Sequence, residues 1–251
     1  MTRVRTIGLL GGMSFESTIP YYRIINETVR ERLGGLHSAK IAMLSVDFHD
    51  VEQMQTAGDW SAAGAFLADG ARSVESAGAD FLVLCTNTMH KVAADIERAV
   101  AIPLLHIADP TADAIRAAGL STVALLGTRF TMEQPFYRER LRLRGIDARV
   151  PDSAGRVWMH QVIYGELCRG VVRDASRARL ATLIEELVAG GAEGVILGCT
   201  EIAMLIEPRE SKIPIFDTAR LHAEAAALLA LGDAPLAGAR ATSRLPVAEH
   251  G

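Results

Sequence analysis

Apolar residues in this chain fall into short continuous runs, separated by longer stretches where they recur every three or four positions. The runs at Thr6–Leu10, Ile41–Val46, Phe81–Leu84, Leu104–Ile107, Thr122–Leu126, Ala148–Val150, Gly194–Leu197 and Ile213–Phe216 predict strands. They are apolar throughout rather than alternating, as expected of parallel strands covered on both faces. The stripe Ile19, Tyr22, Ile25, Val29 predicts a helix that ends at Gly34-Gly35, where glycine suits a C-cap. Further helical periodicity falls near 61–77, 89–99, 111–118, 132–144, 157–168, 175–189 and 219–231. Strand and helix alternate, which predicts an α/β fold built on open parallel sheets. From Gly232 the chain is rich in Ala, Gly and Pro without periodicity, and 232–251 reads as a flexible tail.

The pattern occurs twice. Gly78-Ala79-Asp80-Phe81-Leu82-Val83-Leu84-Cys85-Thr86 returns without a gap as Gly191-Ala192-Glu193-Gly194-Val195-Ile196-Leu197-Gly198-Cys199. Thr6–Gly11 returns as Thr122–Gly127, and Ile102-Pro103 as Ile213-Pro214. Such a spacing is far longer than a solenoid period. Two similar Rossmann-like domains with parallel sheets are expected, related by a pseudo-twofold axis, with the site in the cleft between them. Residues 1–108 plus 216–231 are assigned to the first half and 109–215 to the second. A duplicated unit brings matched positions face to face, and the matched pair here is Thr86 and Cys199.

Composition removes several classes of function. Of 251 residues 49% are hydrophobic and the formal charge is −4. The densest basic stretch, Arg138, Arg140, Arg142 and Arg144, carries few aromatics and reads as a solvated helix face rather than a nucleic-acid surface. No apolar run approaches the roughly 18–20 residues of a membrane span. The first strand pattern begins at Thr6, which leaves little room for a signal peptide and predicts a cytoplasmic protein. Cys85, Cys168 and Cys199 lack the spacing of a disulfide framework or zinc site. No metal ligand set emerges from His37, His49, His106, His160, His222 or His250. Gly8-x-x-Gly11-Gly12 departs from the dinucleotide fingerprint, and no phosphate loop occurs, so no cofactor is expected.

Ligands of open α/β sheets sit beyond the carboxyl ends of the strands. Those ends carry Gly11-Gly12-Met13-Ser14, Asp47-Phe48-His49, Cys85-Thr86-Asn87-Thr88, Gly127-Thr128 and Gly198-Cys199-Thr200-Glu201. Cys199 lies just before a helix start with Thr200 as its expected cap, a setting that lowers a thiol's pKa. Thr86, Asn87 and Thr88 are three polar residues in succession, more than capping needs. His90 follows in the first turn of the next helix, and Cys168 reads as a packing thiol.

These residues resemble the aspartate/glutamate racemase family of cofactor-independent racemases. The likeness runs through Gly11-Gly12-Met13-Ser14, Asn87-Thr88-Met89-His90, Gly127-Thr128 and Gly198-Cys199-Thr200-Glu201. It implies two α/β domains around a cleft, a homodimer and a free amino acid as substrate. Met13, Ser14, Asn87, Thr88, Thr128 and Thr200 would bind that substrate, with His90 and Glu201 behind them. In the family two cysteines face opposite sides of the substrate Cα, one removing the α-proton and the other returning one. This chain departs from the pattern: the first-half motif has Thr86 where the cysteine is usual, and Cys85 stands one position earlier. Neighbouring side chains on a strand point to opposite faces, so the expected catalytic pair is Thr86 and Cys199, with Cys85 in reserve. The loop 47–53 lacks the basic residue of aspartate-specific relatives, and Cys168 stands where a lysine would align. In this the chain is closer to the broad-specificity branch.

The mechanism implied is removal of the α-proton by Cys199 and delivery of another through Thr86, resupplied by solvent or His90. Two alternatives remain at this point. One is a one-cysteine carbanion enzyme, a malonate-type decarboxylase or a diacid isomerase. The other is a protein that binds an amino acid with weakened catalysis.

Overall fold

The computed structural model describes residues 3–206 and 213–233. Along the chain run β1 (Thr6–Gly11), α1 (Phe15–Leu33), β2 (Lys40–Ser45), α2 (Phe48–Ala57), α3 (Trp60–Ser76), β3 (Phe81–Leu84), α4 (Ala93–Ala99), β4 (Leu104–Leu105) and α5 (Ala108–Ala117). The second half continues with β5 (Thr122–Gly127), α6 (Arg129–Glu133), α7 (Pro135–Arg142), β6 (Asp147–Arg149), α8 (Ser153–Gly165), α9 (Asp174–Ala189), β7 (Val195–Gly198), β8 (Ile215–Asp217) and α10 (Thr218–Leu231). Short 3₁₀ turns at Thr88–Val92, Leu167–Arg169 and Thr200–Met204 follow β3, α8 and β7.

The strands form two four-stranded sheets ordered β2-β1-β3-β4 and β6-β5-β7-β8, with parallel pairing throughout. The internal repeat is therefore a repeat of topology. It is also one of register: Leu10 lies opposite Leu84, and Leu126 opposite Leu197. Counting forward from those pairs, Cys85 corresponds to Gly198 and Thr86 to Cys199. In each sheet the strand order reverses between the two central strands, and the crevice beyond such a switch point is where open sheets hold ligands.

Both faces of the two central strands of each sheet are covered, which explains their unbroken apolar runs, whereas the edge strands depart from the expectation: β2 has no buried residue and leaves Met43 exposed, and in β6 only Ala148 is buried. β1 and β3 pack on one side against α1 and α10, where Tyr21, Ile25 and Val29 meet Ala219, Ala223, Ala226 and Ala230. On the other side Leu10, Leu82 and Leu84 meet Leu67, Ala71 and Val74 of α3. The second sheet lies between α6, α8 and α9 on one face and α5 and α7 on the other. Each fully buried Leu or Ile contributes roughly 1.5–3 kcal/mol. The helix after each sheet's last strand serves the other half: α5 covers the second sheet and α10 the first. The return crossing falls after Asp217, because Phe216 and Asp217 pair in the second sheet as part of β8. The expected boundary at 216 moves by two residues.

Several local expectations change. The buried stripe of α1 is Ser17, Thr18, Tyr21, Ile25 and Val29, while Ile19 and Tyr22 are half-exposed. The helix still stops at Gly34, whose N–H bonds the Arg30 carbonyl. The helix expected over 132–144 breaks at Gln134-Pro135, since proline supplies no N–H and fits a new first turn. α2 had no counterpart in the sequence reading. The arginine row is not simply solvated: Arg140 clamps Asp109 through both carboxylate oxygens at 2.8 and 2.7 Å, and Arg144 pairs with Asp113 at 2.9 Å. Among the described residues no helix is long and apolar enough to cross a membrane. Most of the tail expected over 232–251 lies outside the described residues.

Candidate active site

The turn after β1 shows how tightly the backbone is drawn in here. Gly12 has φ +93°, and a Cβ at this position would meet the Val46 carbonyl oxygen at 2.2 Å, so no side chain fits. Its N–H is received by Thr18 Oγ1 at 2.8 Å. That turn sends Met13 into a crevice and Ser14 towards the other half.

The crevice is lined from both halves. Met13, Phe48, Gln55, Thr86, Asn87 and Thr88 come from the first, and Thr128, Ile163, Tyr164, Cys168 and Gly198 to Glu201 from the second. About 320 Å³ of space free of protein atoms lies along it, part of that open to solvent. Thr86 and Cys199, the matched pair of the repeat, are thus neighbours of one space. Three contacts close the halves across it. Ser14 Oγ donates to Glu201 Oε1 at 2.8 Å, Tyr164 Oη donates to Gln55 Oε1 at 2.7 Å, and the Thr88 and Thr128 hydroxyls lie 2.9 Å apart.

Glu201 organises the second-half wall. It is buried, yet four donors converge on it: Ser14 and Cys168 (3.7 Å) on Oε1, Cys199 (2.9 Å) and Thr200 (2.7 Å) on Oε2. Acceptance on this scale is the arrangement of an anionic carboxylate, which has about four lone-pair sites. Cys199 itself, not Thr200, takes the cap position, in an extended conformation before a 3₁₀ turn of five residues. The expected lowering of its pKa does not occur. Burial first, and then the Glu201 carboxylate, hold the Cys199 thiol well above the usual range. The turn's few N–H groups do not outweigh that. The thiol is protonated at rest, its proton directed at Glu201.

The first-half wall is different in kind. Cys85 points into the apolar cluster beneath α1 and α10 with Val83 and Tyr21, where burial raises its pKa. It is not among the residues lining the crevice. Alternation along the strand sends Thr86 the other way. His90 fixes the Thr86 backbone: its Nδ1 bonds the Thr86 carbonyl at 2.7 Å, and its Nε2 accepts the Ile107 N–H at 3.2 Å. The carbonyl can only accept, so the proton sits on Nδ1 and the ring is neutral. Burial, with His106 and His222 nearby, holds its pKa well below the ordinary value. Both nitrogens are occupied, so the expected resupply of Thr86 by His90 has no free route.

Asn87 also differs from expectation. The Thr218 hydroxyl gives its single proton to the Leu197 carbonyl at 2.7 Å, so it must accept from Asn87 Nδ2 at 2.9 Å. This leaves Asn87 Oδ1 buried without a partner among the described residues. The free atom is an acceptor, suited to an ammonium rather than to a carboxylate. The hydroxyls of Thr88, Thr128 and Thr131 cluster within 2.9–3.4 Å of one another. Ser14 and Thr200, expected to touch substrate, commit their hydroxyls to Glu201. Cys168, read as a packing thiol, lines the crevice and bonds the same carboxylate. Gln55, Tyr164 and Thr131 were not anticipated, and Phe48 stood only within the strand-end segment Asp47-Phe48-His49. Their signal, Phe48 stacking on Tyr164 and Gln55 pairing across the halves, exists only in three dimensions. Among the described residues no cluster of three His, Cys, Asp or Glu side chains is gathered as for a metal ion.

The profile of the Asp/Glu/hydantoin racemase family matches residues 10–226. The chain is 26% identical over 226 residues to the broad specificity amino-acid racemase RacX of Bacillus subtilis (strain 168), covering 84% of this chain and 92% of that one. A crystal structure of a candidate Asp/Glu racemase from Yersinia pestis is 52% identical, with TM-score 0.84 over 90% of this chain and 99% of that one. An aspartate racemase homologue from Pyrococcus horikoshii OT3 is 32% identical, with TM-score 0.78 and the same two coverages.

Proposed function

The chain belongs to the Asp/Glu/hydantoin racemase family, and we propose that it inverts the Cα of a free amino acid without a cofactor, removing and returning a proton from opposite faces. One observation carries this reading: Thr86 and Cys199, equivalent in sequence and register, line the same buried crevice beyond the switch points of the two sheets.

The α-ammonium is received by Asn87 Oδ1 and the α-carboxylate by the threonine hydroxyls and the N–H groups at the starts of the 3₁₀ turns. Cys199 passes its proton to Glu201 and, as thiolate, takes the α-proton. A raised thiol pKa makes the thiolate scarcer but a stronger base, closer in strength to the carbon acid it must deprotonate. Fixed donors in a water-poor crevice stabilise the enolate-like charge more than they could in water. On the opposite face Thr86 relays a proton from water to Cα, and the Glu201 proton returns to solvent. Protons balance over the cycle. A hydroxyl ionises far less readily than a thiol, so the two directions of turnover are unequal.

The test is Cα-proton exchange of L- and D-amino acids in deuterated water, followed by NMR. Exchange that disappears in Cys199→Ala is expected. Saturable binding without exchange would leave a binding protein, and carbon dioxide release from malonate-type acids without exchange would leave a decarboxylase.

A further inference from the structure

We infer that Thr218 is a positioning residue: from outside the crevice it sets the Asn87 amide to receive an ammonium. The crevice thereby prefers amino acids to 2-hydroxy acids of the same shape. This rests on the seating of the α-ammonium on Asn87 within the racemase reading, and names the residue that enforces it.

Thr218 is the first residue of α10, on the return crossing between the halves, and is fully buried. It is not among the described residues that line the crevice. Its neighbour Asp217 fixes it from two sides. Asp217 caps α10 by accepting from the Ala219 and Arg220 N–H groups, and it pairs with Leu197 in the β7–β8 register. The Thr218 hydroxyl accordingly meets the Leu197 carbonyl and donates to it at 2.7 Å. A carbonyl can only accept, and a hydroxyl has one proton to give. Asn87 lies 2.9 Å from that same hydroxyl, so it can meet it only by donating from Nδ2. Turned over, the amide would set two oxygens against each other with no proton between them. Oδ1, which has no partner among the described residues, is therefore the amide atom left for a ligand in the crevice. Leu197 directly precedes Gly198-Cys199, so the strand that carries the thiol also orients the group that receives the ammonium.

An ammonium donates to Oδ1 with a full charge, whereas a hydroxyl on Cα donates without one. Charge-assisted hydrogen bonds are roughly twice as strong as neutral ones. The preference vanishes if the amide turns. An N–H facing the ligand suits a hydroxyl, which can accept, and repels an ammonium, which has no lone pair. Without the Thr218 hydroxyl, Nδ2 would be buried against apolar atoms, and turning it into the crevice relieves that. Loss of packing alone would instead weaken both kinds of ligand alike.

The experiment is calorimetric binding to the full chain carrying Cys199→Ala, which needs no turnover. The probes are three pairs: L-alanine with L-lactate, L-aspartate with L-malate, and L-glutamate with L-2-hydroxyglutarate. In the pair that binds best, the amino acid should bind about tenfold or more tighter than its hydroxy acid, the margin of a charged over a neutral bond. Adding Thr218→Val, which keeps the branched shape and removes the hydroxyl, should bring that ratio to about twofold or less. Thr218→Ala, which removes the hydroxyl without setting a methyl against the Leu197 carbonyl, should do the same. Thr218→Ser should hold the ratio near tenfold. Valine and alanine variants that bind both members more weakly at an unchanged ratio would overturn the inference and leave the racemase reading intact. The expected ratios in a protein whose wild type exchanges no Cα-proton would support the inference and remove only that reading. Three pairs with no amino acid preferred in Cys199→Ala would overturn the inference together with the seating of the ammonium.

Discussion

The Cys199 thiol donates to Glu201 across 2.9 Å, and the two residues stand two apart on one turn. The carboxylate both raises the thiol's pKa and supplies the place its proton can go. Glu201→Gln separates those effects. Proton exchange should fall about 100-fold, the scale of a lost proton acceptor. The thiol, freed from the anion, should meanwhile alkylate faster with iodoacetamide at pH 8. If exchange and alkylation both fall, Glu201 does not act in this way.

Thr86 faces the same crevice with a hydroxyl where its counterpart carries a thiol. The wild-type protein should show unequal kcat values for the L and D forms of one substrate, by about tenfold or more. Thr86→Cys should narrow that gap and Thr86→Ala should lower both values. Equal rate constants for the two enantiomers, unchanged in Thr86→Ala, would exclude a role for the hydroxyl.

Cys85 lies in the packed layer beneath α1 and α10. Cys85→Ala should leave exchange within about twofold of wild type while costing about 1–2 kcal/mol of stability through the small cavity it opens. Denaturant titration and exchange rates measured on one preparation test both halves of this statement. Loss of exchange with unchanged stability would return Cys85 to the catalytic pair.

Acid should unfold the protein through its buried histidines. Burial holds His90 and His106 well below the ordinary value and lowers His222 to about 4. The unfolded chain takes up these protons near pH 6.5 and the folded chain does not, so stability is full above about 6.5 and declines as pH falls towards 4. His222 alone accounts for about 3 kcal/mol over that interval, at 1.36 kcal/mol per pH unit. Urea midpoints at pH 7, 6 and 5 should fall steadily, and less steeply in His222→Asn. A flat profile would refute this account.

Much of this was legible in the sequence, because strands buried on both faces are spelled as continuous apolar runs, and because a duplicated chain announces its own equivalences. The Thr86–Cys199 match followed from that spelling, as did the setting of Cys85 behind the strand. The buried stripe of α1 differs from the apolar spacing by a few residues because Ile19 and Tyr22 are apolar yet half-exposed, so apolar spacing alone does not choose between neighbouring faces. The thiol's pKa was misjudged because its control is a charge balance. A short turn's dipole competes with desolvation and a carboxylate, and only geometry decides which prevails. Ser14, Cys168 and Thr200 converge on Glu201 from three different segments, a convergence that no spacing along the chain encodes.

Met13, Thr86, Asn87, Thr88, Thr128, Cys199 and Glu201 are each less than one-tenth exposed. The two walls of the crevice they line are joined by Ser14–Glu201, Tyr164–Gln55 and Thr88–Thr128. A neutral bond of this kind is worth about 1 kcal/mol net, and the one that ends on the Glu201 carboxylate about 1.5–3 kcal/mol. One of these bonds ends on the carboxylate that also accepts from the Cys199 thiol, so any change in that contact alters the electrostatic setting of the sulfur.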